Sequence, residues 1–195
     1  MNGQGVPDAV LEFWEAFVDD VAATADAYRE SGWDVLELHP GDVAPQPGPL
    51  DRPTLGGDEG DGDADAGADA DPAPDPDVDR LGFDVLVPDD EFDALESLLD
   101  DGFAASSYET FRAERGGAAF VLVVERDEAS ERAVFVPLHY RPSDTERLRR
   151  LASQRGVVHA YVRPLSRRRV VTFSHEEPDS FFGDGEDAGD DPESA

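Results

Sequence analysis

The sequence predicts an α+β fold: a mostly antiparallel mixed sheet, about three helices, one long disordered acidic loop and a disordered acidic tail. Three observations carry this. Apolar residues recur at spacings of three and four in three stretches, each opened by a proline beside Asp or Ser and closed by glycine. Between and after these stretches lie short runs rich in Val, Leu and Phe, the residues that suit a pleated surface. The segment Gly41–Asp79 is built mainly of Asp, Ala, Gly and Pro, which cannot bury enough surface to offset the entropy of ordering it. The reading is one domain over residues 1–175, interrupted by a linker at 41–80 and followed by a tail at 176–195.

In chain order, Pro7 and Asp8 open a helix that ends near Gly32. Its apolar positions Val10, Phe13, Trp14, Phe17, Val21 and Tyr28 fall mostly on one broad face suited to packing on a sheet. Trp33–Leu38 and Leu81–Val87 read as strands and open alike, Gly32-Trp33-Asp34-Val35-Leu36 and Gly82-Phe83-Asp84-Val85-Leu86. They are expected in one sheet, bridged by the linker. Pro88, with Asp89, Asp90 and Glu91 at the positive end of the helix dipole, starts a second helix that buries Phe92, Leu95, Leu98 and Leu99 before Gly102. A three-stranded meander follows, Ser107–Glu114, Ala118–Glu125 and Arg132–Tyr140, turning at Gly116-Gly117 and at Asp127–Ser130. Its middle strand is apolar almost throughout, as expected if both faces are covered. The third helix carries Leu148, Leu151 and Ala152 inward, with Ser143 and Glu146 spaced as a capping box and Gly156 as its C-terminal stop. Val157–Val162 and Arg169–Ser174 complete the strands. Phe181-Phe182 could anchor the start of the tail on the domain.

Charge constrains function. The chain has 46 acidic and 16 basic residues, a net −30, and every basic residue is arginine. Lys, Ile and Cys are absent and Asn occurs once, which a GC-rich genome explains, but codon bias does not explain the acid excess. Self-repulsion on this scale destabilises a compact state in dilute buffer. In molar salt, where the Debye length falls to about 3 Å, it is mostly screened. The composition thus points to a salt-accumulating cell and a soluble, cytoplasmic protein. Without cysteine there is no disulfide, thiolate metal site or thiol nucleophile. The longest apolar run, Ala118–Val124, is far shorter than the roughly 20 residues a membrane helix needs.

Three features of the sequence bear on chemistry. From Arg141 to Arg169 the chain carries nine arginines against Asp144 and Glu146. Of this island, Arg147, Arg150, Arg163, Arg167, Arg168 and Arg169 are the candidate binding residues, toward a phosphate group, an acidic protein partner, or the chain's own acidic tail or linker. Nucleic acid is disfavoured, because binding through counterion release loses its driving force in concentrated salt. His139 and His159 fall on strands and could converge on a pocket, but no histidine pair has metal-ligand spacing. The acid run Asp58–Asp71 fails as an EF-hand loop, with Ala66 where glycine is needed and Pro72 where glutamate is needed. Neither a serine elbow nor a glycine-rich phosphate loop is present. Catalytic residues, metal and cofactor are therefore each predicted as none.

The order helix, three strands, helix, strand resembles the core order of the restriction-endonuclease-like nuclease fold. That resemblance implies acids on the second and third core strands and a lysine; here only Glu125 stands at the end of the second, and the chain has no lysine. The segments Gly32–Asp42, Arg163–Ser166 and Val171–His175 resemble a group of small uncharacterised haloarchaeal proteins, a resemblance that implies no activity. The expectation is a non-enzymatic protein-binding or regulatory module. The alternative is an enzyme or degenerate nuclease-like domain acting on a phosphate-containing ligand through an Arg/His cleft.

Overall fold

The computed structural model describes residues 8–48, 80–166 and 169–183, with side chains from residue 13 onward. Most of the acidic linker, the EF-hand-like run within it, Arg167, Arg168 and residues 184–195 lie outside these residues. The elements are α1 (Asp8–Glu30), β1 (Asp34–Glu37), β2 (Asp42–Pro47), β3 (Leu81–Leu86), α2 (Asp89–Asp100), β4 (Ser107–Arg115), β5 (Ala118–Asp127), β6 (Arg132–Tyr140), α3 (Glu146–Arg155), β7 (Val158–Arg163), β8 (Val171–His175) and the single-turn α4 (Asp179–Phe182). The α+β class is as the sequence predicts, and the strands form two mixed four-stranded sheets in the orders β1-β6-β5-β4 and β2-β3-β7-β8.

The two strands that open alike do not share a sheet. β1 runs parallel to β6, whereas β3 runs parallel to β7. Pro40 ends the first strand, and the chain crosses at once into the second sheet as β2, which pairs antiparallel with β3 from Asp42↔Leu86 to Pro47↔Leu81. β2 lies within the stretch read as linker. Pro45 and Pro47 disguise it, and they are tolerated because β2 is an edge strand. The Gly48 N–H donates to the Arg80 carbonyl at 2.7 Å, so alternation turns the nitrogens of Pro45 and Pro47 away from β3.

Alternation along β5 and β6 splits the core. Leu122, Val124, Ala133 and Phe135 face α1 and bury Val21 and Ala25. Ala119, Val121, Val123, Val134, Val136 and Leu138 face the other way, into a larger cluster shared with Phe83 and Val85 of β3, Val158 and Val162 of β7, and the apolar faces of α2 and α3. Both faces of β5 are thus covered, as its composition requires. Phe181 and Phe182 are buried against Phe83, so the start of the tail is anchored as expected. The Ser143–Glu146 capping box does not form: a 3-10 turn at Pro142–Asp144 precedes α3, Thr145 holds the N-cap position, and the Ser143 hydroxyl donates instead to Asp144. Gly156 ends α3 in the left-handed region at φ 68°, where a Cβ is disfavoured.

Candidate functional site

The turn from β6 into α3 borders two cavities. Strand alternation sends His139 toward α1 and Tyr140 into the shared core, so Tyr140 borders both cavities and His139 only the one on the α1 side. On the α1 side a pocket of about 400 Å³ is walled by Trp14, Phe120, His139, Val43 and Pro45, with exposed Arg141 and Asp144 beside it. The Trp14 ring stands 4.8 Å from His139 and 6.3 Å from Phe120. Nδ1 of His139 is buried and has no hydrogen-bond partner among the described residues. Burial holds the His139 pKa below the usual histidine value, while the charge of Asp42 pulls weakly the other way. The ring is therefore neutral near pH 7 and can offer either a donor or an acceptor.

On the other side a pocket of about 620 Å³ lies between α3 and the last described residues. Glu146, Arg149, Arg150 and Ser153 recur at helical spacing along its wall, facing Tyr140 and Phe182. Arg149 and Arg150 are exposed and form no salt bridge among the described residues. The Tyr140 hydroxyl donates to the Phe181 carbonyl. Burial raises the Tyr140 pKa, with the nearby Arg112 guanidinium opposing that shift.

The arginine island does not form one surface. Arg163 is buried on β7 and donates through Nε to both oxygens of Asp84, at 2.6 and 2.9 Å. Arg169 is bound to α2 through Asp93 and Glu96 and lies over the Phe92 ring at 5.5 Å. Arg147 is half-buried on α3, off the pocket wall, whereas Arg150 lines it; Arg167 and Arg168 fall outside the described residues. His139 and His159 do not meet. His159 lies on β7 beside the Tyr161 ring, with Nδ1 2.9 Å from the Ser174 hydroxyl, and burial lowers its pKa too.

Two groupings were invisible to sequence reasoning. Trp14 falls on the apolar face of α1 and Phe120 within the apolar strand β5, and only the fold brings them to His139. Glu125 and His175, fifty residues apart, meet between the sheets. His175 Nε2 is 2.6 Å from Glu125 Oε1, its Nδ1 is 3.3 Å from the Val158 carbonyl, and Tyr108 stands edge-on at 4.7 Å. At 2.6 Å a shared proton joins Nε2 and the Glu125 carboxyl, so the two side chains satisfy each other inside the core. The lone acid that the nuclease order singled out is thus 3% exposed and engaged by a histidine.

Residues 6–56 and 63–183 match a family of unknown function, DUF7529. The chain belongs to this family. The match breaks only inside the acidic linker and ends at Gly183, so it takes in every strand and helix named above. No curated protein and no solved structure matches the chain. Among the described residues, no group of three or more His, Asp or Glu could hold a metal ion. No helix among them is long and apolar enough to cross a membrane.

Proposed function

We propose that this chain is a salt-adapted, non-enzymatic protein-binding module of haloarchaeal origin, which seats between Trp14 and His139 a partner side chain that is apolar in body and carries one hydrogen-bonding group. One observation carries the reading: a buried, unpartnered histidine nitrogen in a pocket walled by aromatic rings and prolines. An unsatisfied buried polar atom costs on the order of 1–3 kcal/mol, and an incoming hydrogen-bonding group would recover that cost. A concave, mostly apolar pocket with one well-placed polar group is the usual form of a recognition site. The charged pair Arg141 and Asp144 beside it would orient the partner. The competing reading, catalysis on a phosphate-containing ligand, would draw on His139, His159 and the arginines in one cleft, and among the described residues these lie apart.

The test is affinity capture in molar KCl with the full chain and with His139→Ala and Arg141→Glu variants. A partner retained by the wild type and lost by both variants supports the site. A partner held equally by all three sinks it. Salt adaptation has its own measurement, circular dichroism across a KCl titration. The net charge of −30 predicts a fold that is lost toward about 50 mM and regained toward about 3 M, values bracketing weak and strong screening. An unchanged cooperative fold across that range would refute it.

A further inference from the structure

We infer that the pocket carrying Arg149 and Arg150 is the docking site for the chain's own acidic C-terminal segment, residues 184–195. This site is separate from the Trp14–His139 pocket and does not rest on that reading. Position, charge and free valence converge on it. The last described residues deliver the segment to the pocket: Phe182 is buried and lines it, and the next residue, Gly183, packs against a third arginine, since a Cβ added there would lie 2.6 Å from Arg112 Nη1. The same terminal stretch already touches the helix wall, where the Ser153 hydroxyl donates to the Asp179 carboxylate at 3.1 Å. Beyond Gly183 come Asp184, Glu186, Asp187, Asp190, Asp191 and Glu193, with no basic residue. On the pocket wall, Arg149 and Arg150 are exposed and carry no ion pair among the described residues.

The tether decides the occupant. A flexible chain spans roughly 5–6 Å times the square root of its length, so Asp187, four residues past Gly183, samples a radius of about 11 Å. Short tethers of this kind hold a group at an effective concentration in the millimolar range or above. A free acidic ligand would have to exceed that to compete. Guanidinium–carboxylate contacts at 3 Å also lie within the Debye length of about 3 Å at 1 M salt, so contact pairs persist where long-range attraction does not.

The experiment is backbone ¹⁵N relaxation on the full chain in about 1 M KCl, where the order parameter separates rigid backbone at about 0.85 from flexible backbone below about 0.6. Glu186 and Asp187 are expected near the rigid value in the wild type. They should drop to the flexible range in Arg149→Gln/Arg150→Gln, with the amide spectrum of the sheets unchanged. Should that variant fold poorly, Asp184→Asn/Glu186→Gln/Asp187→Asn tests the same contact from the other side, and the tail should again be released. Flexible values in the wild type, or rigid values that survive both sets of substitutions, overturn the assignment. So does a flexible wild-type tail combined with α3 amide shifts on adding inorganic phosphate, which would make the pocket a site for free anions.

Discussion

Removing one partner of the Asp84–Arg163 pair decides whether Arg163 is a recognition residue or part of the framework. Both are 6% exposed, and the Arg163 Nε sits within hydrogen-bond reach of both Asp84 oxygens while Nη1 approaches the Pro164 carbonyl at 3.4 Å. β3 and β7 are adjacent parallel strands, so the pair ties them on the face away from the shared core. Arg163→Met leaves a buried carboxylate without its cation, which costs about 3–5 kcal/mol. At roughly 3 °C per kcal/mol for a domain of this size, the melting temperature should fall by about 10–15 °C. Asp84→Leu strands the guanidinium and should cost a similar amount. The double variant Asp84→Leu/Arg163→Met removes both charges and should recover most of the loss, because well-packed apolar replacements of buried pairs are often neutral or better. The assay is urea unfolding at fixed KCl with a common m-value. If Arg163→Met alone costs under about 1 kcal/mol, as an exposed pair would, the framework role is wrong. The same conclusion follows if the double variant loses the sum of the two singles.

Three further outcomes follow from the geometry. A Cβ on Gly82 would collide with the His159 carbonyl and lie 2.8 Å from the His159 nitrogen, so Gly82→Ala should cost at least about 3 kcal/mol, the upper end of overpacking; a melt unchanged within error would contradict the β3–β7 register. Phe181→Ala empties a fully buried site beside Phe83 and His175 and should cost about 3–5 kcal/mol in denaturant unfolding, whereas an effect below 1 would mean the terminal anchor is not docked. The folded-state pKa values of His139 and His159 lie below the unfolded value of about 6.5, so the unfolded chain binds protons first. Their contribution to stability is complete above about pH 6.5 and declines as the pH falls from there through the folded values. Unfolding measured from pH 7 to 5.5 should show that decline, and His139→Phe should flatten it; an equal slope in both proteins refutes the assignment to His139.

The local signals were legible and the pairings were not. The burial of β5 on both faces and the glycine stop of α3 follow from residues within a few positions of each other. The partnerships of β1 with β6 and of β3 with β7 depend on contacts across about eighty to a hundred residues, and two strands with nearly identical openings gave no hint that they lie in different sheets. β2 was hidden because an edge strand tolerates the same prolines that mark a linker. In the arginine island closeness in sequence does not give closeness in space: strand β7 buries Arg163, and Arg169 turns to the acids of α2. One signal was available. Asp84 is the only charge in the strand Leu81–Leu86, and a buried carboxylate needs a cation.

The prolines of β2 also bear on how copies of this protein avoid one another. An open sheet edge is a template for strand addition, and many proteins keep copies apart there with like charges. In concentrated salt that repulsion reaches only about 3 Å, so a net −30 gives little protection against self-association. Pro45 and Pro47 remove two outward N–H donors from the edge, and the absence of a donor does not depend on ionic strength. On this edge, resistance to aggregation is written into the backbone and would survive in a solvent where the surface charge is largely silent.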